Sequence, residues 1–410
     1  MKNDGSRHRT SQDLRDELTL MRVSKVTAPE EAPADVYGRG CRYLCLAAIC
    51  GSCAFCFALV ASTQTMTTCD AANPFDTKPD DVALQSCLDT YDRILLKPDY
   101  LPGYVGYLVS DTLKLKRTGA LFTTADSPHK ATLLAAPDLN SSILRAGGIN
   151  NFEISFVRFD GNRANRSVRD KPCDAGHNFR NVELTGVGFH VRYVESFGAV
   201  CGSAMTVGDS SKFEIYGSSF YDNGRQPEEA NNIAGLWADG LTVFKCDHST
   251  IRDSNFWDNT DVDLGVNGGP SCSVYRNTIS HSSKYAFAGL VAGDPSRSGG
   301  EFSDNRVSAG YNLLGFGILV GCHPWPACGG GYASNLSVHD NRSTGAVVNF
   351  AVDGLNGGSV RNNSMSGARG DRVLNCPRAT ADYTVGHVIN VAPLQSGYVV
   401  RIFDFGSSCQ

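Results

Sequence analysis

The sequence predicts an all-β solenoid, a single-stranded parallel β-helix with an N-terminal capping helix. Three observations predict it. Short polar-centred hexads recur in the second half, apolar segments recur in step with them, and no coil contains a stretch with the 3.6-residue period of a helix. The composition agrees, because 43 of the 410 residues are glycine and only 19% are charged, whereas helical bundles are rich in charged residues. One elongated domain is expected where the length alone would allow two.

The hexads keep Ser or Asn in one fixed position. Each opens on an apolar residue, and they span residues 215–220, 251–256, 274–279, 302–307, 338–343 and 360–365. Their fourth residues are Ser218, Ser254, Asn277, Asn305, Asn341 and Asn363. Stacked coil upon coil, these side chains would form a hydrogen-bonded ladder that satisfies the buried turn backbone. The period is near 23 residues, and longer spacings mark insertions within residues 221–234 and 307–337.

A second set of apolar segments predicts another strand in each coil. These segments begin at Gly240, Asp263, Gly289, Gly317 and Asn349. Strands of four or five residues joined by Gly-rich turns fit a β-helix. A β-sandwich or propeller is the alternative, but its strands would alternate more strictly and its repeats would be longer.

The N-terminal part of the solenoid is predicted to begin with a cap. Residues 80–88 form an amphipathic helix with an acidic first turn. The segments 93–97, 106–109 and 112–116 are strand-like, and the segments 154–159 and 181–184 are expected in the first, less regular coils. A helix is suited to this end because the first coil would otherwise present open strand edges. Residues 377–410 depart from the repeat and are expected to cap the other end.

Residues 43–62 contain no charge and predict a transmembrane signal anchor, since 20 apolar residues span a bilayer core. Arg39 and Arg42 precede this segment and acidic residues follow it, which orients the chain as a single-pass type II membrane protein. Residues 1–42 are then a disordered cytosolic tail, 63–77 a linker, 78–400 the β-helix and 401–410 a C-terminal tail. A cleaved signal peptide is the alternative. Cys41 and Cys45 are candidates for palmitoylation.

Ten cysteines beyond the anchor predict disulfides in an oxidising lumen or outside the cell. The chain order suggests the pairs Cys69–Cys87, Cys173–Cys201, Cys246–Cys272, Cys322–Cys328 and Cys376–Cys409. Five sequons, at Asn140, Asn165, Asn335, Asn341 and Asn362, agree with this compartment. Because Asn341 falls in the inward ladder it should stay unglycosylated, and Asn335, expected in a loop, is the better glycan site.

The segments around residues 80–89, 94–115 and 156–162, followed by Asn-ladder coils, resemble the pectate-lyase superfamily over about residues 78–400. The resemblance implies a right-handed parallel β-helix, the pectin-lyase-like fold, with a carbohydrate-facing groove along one strand face. Its members include polysaccharide lyases, polygalacturonase-like glycoside hydrolases, uronan epimerases and non-catalytic proteins.

Three carboxylates predict a catalytic cluster. Asp239 precedes Asp261 and Asp263 by about one coil, and residues one coil apart lie about 4.8 Å apart. Such carboxylates repel one another, which raises at least one pKa, as acid–base chemistry at a glycosidic bond requires. The alternative is that these side chains cap strand ends.

The spacing of these carboxylates is similar to that of polygalacturonase-like hydrolases, but the motifs differ. Val262 separates the two later carboxylates, residues 287–289 stand where Gly-His-Gly would fall, and no Arg-x-Lys follows. His281 and Lys284 lie in the preceding turn and would have to assist catalysis instead.

Polar residues after successive strands predict the substrate-binding edge. The candidates are Trp237, Asn267, Asp294, His323, Trp325 and Asp353. Trp side chains suit stacking on a sugar ring, and loops on a rigid scaffold concentrate binding sites. His323 has an alternative role in packing its loop.

The sequence therefore predicts a monomeric, membrane-anchored protein that acts on polysaccharide as a hydrolase, lyase or epimerase. No cofactor is expected, apart from Ca²⁺ on Asp261 and Asp263 if the protein is a lyase. A non-catalytic glycan-binding or structural β-helix is the alternative. The net charge of −5 gives no support for nucleic-acid binding.

Overall fold

The computed structural model describes residues 65–410 except 127, 172–178, 227–235, 295, 312, 322–332, 353–354, 367–387, 391–401 and 404–410. The described chain contains one α-helix, α1 (Asp81–Thr90), and a short 3₁₀ turn at Arg163–Asn165. The strands in chain order are β1 (Thr67–Thr68), β2 (Arg93–Leu96), β3 (Tyr107–Val109), β4 (Leu113–Leu115), β5 (Leu121–Thr124), β6 (Ala131–Ala135), β7 (Leu144–Ala146), β8 (Glu153–Ser155), β9 (Val157–Asp160), β10 (Val182–Leu184), β11 (His190–Arg192), β12 (Glu195–Phe197), β13 (Gly202–Val207), β14 (Glu214–Tyr216), β15 (Ser219–Tyr221), β16 (Ala238–Val243), β17 (Thr250–Arg252), β18 (Asn255–Trp257), β19 (Val262–Val266), β20 (Ser273–Tyr275), β21 (Thr278–His281), β22 (Ala286–Ala292), β23 (Glu301–Ser303), β24 (Arg306–Ala309), β25 (Leu314–Val320), β26 (Ala333–His339), β27 (Arg342–Thr344), β28 (Val348–Val352), β29 (Leu355–Arg361), β30 (Ser364–Ser366), β31 (Val388–Asn390) and β32 (Ile402–Phe403).

These strands form three long sheets, which confirms the predicted β-helix. Sheet A has the order β1-β2-β5-β8-β11-β14-β17-β20-β23-β26-β29-β31, and sheet B the order β3-β6-β9-β12-β15-β18-β21-β24-β27-β30. Sheet C has the order β32-β28-β25-β22-β19-β16-β13-β10-β7-β4. Neighbouring strands are parallel, except that β31 and β32 pair antiparallel with β29 and β28. Each regular coil therefore adds one strand to each sheet.

The core lies between the three sheets and is built from like residues stacked one coil apart. Phe152 stacks on Phe189 with ring centroids 4.8 Å apart, and Phe189 stacks on Phe213 at 5.0 Å. Phe220 stacks on Phe256 at 5.2 Å. All five rings are buried. Offset stacking of this kind adds to the burial of apolar surface, so the repeat itself supplies the packing between coils.

The predicted side-chain ladder occupies the corner between sheets A and B and is confirmed. Asn277 N donates to Asn305 Oδ1 at 3.1 Å, and Asn305 N donates to Asn341 Oδ1 at 3.0 Å. The chain of bonds continues to Asn363 at 3.1 Å. In each coil the residue before the ladder is left-handed, with a φ of 52° at Asp253. The corner thus turns the chain with two residues and satisfies its buried amides.

Strands of sheet C contain a local step with two successive inward residues. Gly240 faces the core, because a Cβ on it would lie 3.0 Å from the Phe256 ring. The next residue, Leu241, is also buried in the core, whereas neighbouring residues of a regular strand face opposite sides. The same step recurs one coil later at Asp263 and Leu264, both with no exposed surface. The residue before the step then faces outward, which is why Asp239 lies on the outer side of the sheet.

The predicted helix 80–88 is confirmed as α1, which buries Leu84 and Leu88 against the first coil. The Cys69–Cys87 disulfide joins the helix to the segment after β1, and Cys246–Cys272 joins adjacent C-to-A turns. Both of these predicted pairs are confirmed. Cys201 is also disulfide-bonded, whereas Cys173, Cys322, Cys328, Cys376 and Cys409 lie outside the described residues.

The predicted tail and anchor, residues 1–62, lie outside the described part of the chain. Among the residues described, no helix is long and apolar enough to cross a membrane. Sheet A includes β1 (Thr67–Thr68), which lies before residue 78, the predicted start of the β-helix. Sheet C includes β32 (Ile402–Phe403), which lies in the predicted C-terminal tail.

Expression in a eukaryotic secretory pathway should leave Asn341 unmodified and place a glycan on Asn335. Asn341 is 1% exposed and its Nδ2 donates to Phe302 O at 2.8 Å, so no space exists for a sugar. Asn335 is exposed, although it lies within β26 and not in a loop as predicted, because the start of β26 pairs with β29 from Ala333↔Leu355 onwards. Peptide mapping of folded protein measures both sites, and full occupancy at Asn341 would contradict the ladder.

Candidate active site

Asp239 and Asp261 lie together on the outer side of sheet C. Asp239 belongs to β16, and Asp261 immediately precedes β19, the neighbouring strand. Val262 N donates to Asp239 Oδ1 at 3.1 Å, so the Asp239 carboxylate sits at the peptide group that follows Asp261. Both side chains are half-buried. The structure therefore brings together two of the three carboxylates predicted to cluster.

The two carboxyl groups differ in their hydrogen bonds. Asp239 Oδ2 accepts from Thr242 Oγ1 and, at 3.4 Å, from Ser203 Oγ, in addition to the Val262 amide. Among the described residues, no hydrogen-bond donor to the Asp261 carboxylate is present, although its backbone oxygen accepts from Phe287 N at 2.8 Å. Donors stabilise the ionised form of a carboxylate, so Asp239 is the better placed of the two to carry the charge.

Burial raises the pKa of both groups. Desolvation raises the pKa of Asp239, and its three donors and the positive charge of Arg180 oppose that rise. Desolvation and then the negative charge of Asp239 raise the pKa of Asp261 to about 7. The pKa of Asp239 is raised to about 6 and that of Asp261 to about 7, so the two neighbouring carboxyl groups can hold one proton between them near neutral pH. The arrangement can therefore supply a general acid and a general base.

A small pocket of about 200 Å³ lies over the earlier strands of sheet C, β7, β10 and β13. Its lining includes Arg145, Arg180, Glu183 and Phe244 but neither Asp239 nor Asp261. Arg145 pairs with Glu183 at 3.1 Å. Arg180 has a buried Nε with no partner among the described residues. Burial lowers the pKa of Arg180, and an arginine without a fixed partner beside this pocket is suited to an anionic group.

Asp263 and His281 lie inside the solenoid, away from the outer side of sheet C. His281 Nε2 is 2.6 Å from Asp263 Oδ2, both side chains have no exposed surface, and Asn259 Nδ2 donates to Asp263 Oδ1 at 2.7 Å. His281 Nδ1 contacts Lys284 O at 2.8 Å. Burial lowers the pKa of His281, but the Asp263 carboxylate outweighs it and raises the pKa above the ordinary value. The geometry gives this pair structural contacts and no surface for substrate.

The other predicted site residues are dispersed. Lys284 Nζ pairs with Asp222 Oδ1 at 2.6 Å at the turn between sheets B and C. Trp237 is 43% exposed and lies two residues before Asp239 in the chain. Asn267 follows β19 and is half-buried, and Asp294 Oδ1 accepts from Ser296 N at 2.7 Å in a local turn. His323, Trp325 and Asp353 lie outside the described residues.

The two carboxylates considered for Ca²⁺ do not face one another, since Asp261 lies on the outer side and Asp263 inside. Within the described residues, no group of three or more His, Cys, Asp or Glu side chains that could hold a metal ion occurs. Asp261 and Asp263 therefore do not form a shared site for one ion.

Sequence reasoning missed the groups that differentiate the two carboxylates. Ser203 is paired in register with Asp239, and Thr242 stands three residues after it across the step in β16. Arg180 lies two coils earlier, just before β10. A coil-by-coil alignment of sheet C could have found Ser203, but the residues of these first coils do not follow the hexad pattern. Only the three-dimensional register links them to Asp239.

Comparisons with known proteins agree with this architecture. Residues 143–324 match the family described as the right handed beta helix region, and this match agrees with the three parallel sheets of a right-handed parallel β-helix. A search of curated proteins finds no match.

Among solved structures, the A-module of a mannuronan C-5 epimerase from Azotobacter vinelandii is 13% identical, with a TM-score of 0.45 over 74% of this chain and 94% of that one. An alginate lyase from Paenibacillus is 13% identical, with a TM-score of 0.35 over 64% and 92%. The Dettilon tailspike protein is 14% identical, with a TM-score of 0.41 over 67% of this chain. The matched part spans about half (53%) of the tailspike chain.

Proposed function

We propose that this β-helix is a carbohydrate-active enzyme that cleaves a polysaccharide with Asp239 and Asp261. The observation that carries the proposal is the pair of half-buried carboxylates on adjacent coils, of which only Asp239 is held by hydrogen-bond donors within the described chain. The exposed ring of Trp237, two residues before Asp239 in the chain, provides a surface on which a sugar ring can stack.

In a hydrolytic reaction the roles of the two groups follow from their surroundings. Asp261 keeps its proton and donates it to the glycosidic oxygen as the bond to the sugar carbon breaks. Asp239 is ionised and takes a proton from the attacking water, which forms the new bond to that carbon. The hydroxyls of Ser203 and Thr242 hold the Asp239 carboxylate in position.

The Arg180 side chain supports a second candidate, a uronan lyase or epimerase. Its guanidinium would neutralise the substrate carboxylate and so acidify the neighbouring sugar C–H. Asp239 would remove that proton. In the lyase the bond to the glycosidic oxygen breaks, Asp261 protonates the leaving oxygen and a double bond forms. In the epimerase Asp239 keeps the proton that it removed, and Asp261 donates its own proton to the opposite face of the same carbon.

We also propose that the protein is a type II membrane protein whose β-helix lies in the secretory lumen or outside the cell. The disulfides Cys69–Cys87 and Cys246–Cys272 support an oxidising compartment. The uncharged segment 43–62 supports the anchor.

A panel of neutral polysaccharides and uronans, assayed for new reducing ends, for unsaturated products and for inverted uronate residues, tests the enzymatic proposal. Turnover should be bell-shaped in pH, because the reaction needs Asp239 ionised and Asp261, whose pKa is raised to about 7, protonated. Asp261→Asn should lower turnover by roughly 10²- to 10⁴-fold.

Asp111→Asn is the matched control, since Asp111 is exposed at the N-terminal end of the solenoid and its Oδ1 accepts from the neighbouring Thr112 N at 2.7 Å, and it should keep wild-type turnover. Unsaturated products would select the lyase and inverted uronates the epimerase. Binding of a glycan without turnover under any condition would instead favour a non-catalytic glycan-binding protein.

A further inference from the structure

A separate groove lies on the outer face of sheet B and on the adjoining A–B corner. Its volume is about 640 Å³, and its lining includes Arg276, Arg306 and Arg342. It extends from Thr278 on β21 to Ser364 on β30. Four neighbouring strands span about 14 Å at the spacing of a β-sheet. The groove therefore has the length of a short linear ligand, and it occupies a different sheet from Asp239 and Asp261.

Two arginines in this groove are directly opposed without a counterion. Arg306 and Arg342 are register partners on β24 and β27, and both are exposed. Like charges placed directly opposite on a sheet destabilise it. Within the part of the chain described, neither guanidinium pairs with a carboxylate, whereas Arg276 is bound by Asp253 with two contacts of 2.8 Å. The opposed pair thus leaves two planar guanidinium groups available for an anion.

The corner beside the arginines supplies hydrogen-bond acceptors. Asp304 and Asp340 are exposed at left-handed positions with φ values of 56° and 57°. They come from the repeated Asp-Asn-Arg triplets at residues 304–306 and 340–342, in which the Asn points into the ladder. The triplet therefore presents one carboxylate and one guanidinium per coil on the surface.

We propose that this groove binds the carboxylates of an acidic polysaccharide. Guanidinium groups match carboxylates in a bidentate geometry, and Asp304 and Asp340 can accept hydrogen bonds from sugar hydroxyls. The same two Asp side chains repel a densely charged polyphosphate, and the net charge of −5 adds to that repulsion. A uronate polymer carries both the spaced negative charges and the hydroxyls that the groove requires. The proposal does not depend on catalysis at sheet C.

Calorimetric titration of the purified full-length chain with oligogalacturonate tests the site. The Arg306→Gln/Arg342→Gln variant should bind it roughly tenfold more weakly or worse, since each charged hydrogen-bonded contact contributes substantially to affinity. Lys78→Gln/Lys114→Gln is the matched control, because it removes the same charge from two exposed lysines at the N-terminal end. That control should keep wild-type affinity. Arg306→Lys/Arg342→Lys should lose part of the affinity, because lysine keeps the positive charge but lacks the planar guanidinium that binds a carboxylate through two hydrogen bonds.

Two further ligands and a stability measurement distinguish carboxylate recognition from general charge attraction and from misfolding. Methyl-esterified oligogalacturonate should bind the wild type no more tightly than unesterified oligogalacturonate binds the Arg306→Gln/Arg342→Gln variant. Dextran sulfate should bind the wild type more weakly than oligogalacturonate does. The melting temperature of the Arg306→Gln/Arg342→Gln variant should not fall, because the substitution removes a repulsion. Asp239→Asn/Asp261→Asn should retain binding. The proposal would be overturned if the Arg306→Gln/Arg342→Gln variant bound oligogalacturonate with wild-type affinity, or if the wild type bound dextran sulfate and not oligogalacturonate.

Discussion

Asn305→Ala should lower the free energy of unfolding by about 3 kcal/mol or more, because the ladder would lose its bonds in both directions. Asn305 Nδ2 donates to Val274 O at 3.0 Å and to Asn341 Oδ1 at 2.9 Å. Its Oδ1 accepts from Asn277 N at 3.1 Å. The alanine would leave several buried polar groups without partners, and urea unfolding followed by circular dichroism measures the loss.

Two variants separate the ladder from a general effect of the substitution. Asn255→Ala, on the exposed face of the same solenoid, should change stability by less than about 0.5 kcal/mol. Asn305→Ser should be intermediate, because Ser218 and Ser254 fill the same column in earlier coils. Hydrogen exchange should show the loss concentrated in the coils next to Asn305, since a solenoid is stabilised by its nearest neighbours. Equal losses from Asn255→Ala and Asn305→Ala would contradict this role of the ladder.

Asp263→Ala and His281→Ala should each destabilise the protein by about 3–5 kcal/mol, since each leaves a buried polar group without its partner. The next coil fills the corresponding positions with Gly289 and Ala309. Asp263→Gly combined with His281→Ala reproduces that coil and should cost less than the Asp263→Gly and His281→Ala single variants together. A double-mutant cycle on unfolding free energies measures the coupling, and strict additivity would contradict the interaction.

The pair should also make stability depend on pH. The pKa of His281 is raised above 6.5 in the folded protein. The stability that protonated His281 contributes is then fully present below a pH of about 6.5. It is lost as the pH rises through the raised pKa of His281 in the folded protein. The stability difference between the wild type and Asp263→Ala should therefore shrink from pH 6 towards pH 9. A difference that grows over this range would show that His281 is not the group responsible.

The fold could be predicted from the sequence because its determinants are local and repeated. The hexads contain a sheet A strand end, the corner and a sheet B strand start, so six of them define the ladder before any coordinates are known. The capping helix and the Cys69–Cys87 and Cys246–Cys272 disulfides follow from residues that are close in sequence.

The site was less predictable because it depends on which side of sheet C each residue faces. The spacing of one coil placed Asp261 and Asp263 equally near to Asp239. In the structure Val262 faces outward and Asp263 faces inward to His281, whereas Asp261 precedes the strand and lies near Asp239. A regular period of two residues gives no sign of such a step. Glycine at the equivalent inward position of other coils, as at Gly240, is the signal that could have indicated it.

The constant length of the A–B corner has a consequence for how such a chain can diversify. In the described coils from β11 to β30, two residues join each sheet A strand to the following sheet B strand, while the other two connections vary in length. An insertion at the corner would displace a ladder side chain and disturb the coils on both sides. Loop exchange and the gain of new segments are therefore confined to the B–C and C–A connections, which flank the outer face of sheet C. The surroundings of this face can change by recombination of loops while the stacked interior stays in register.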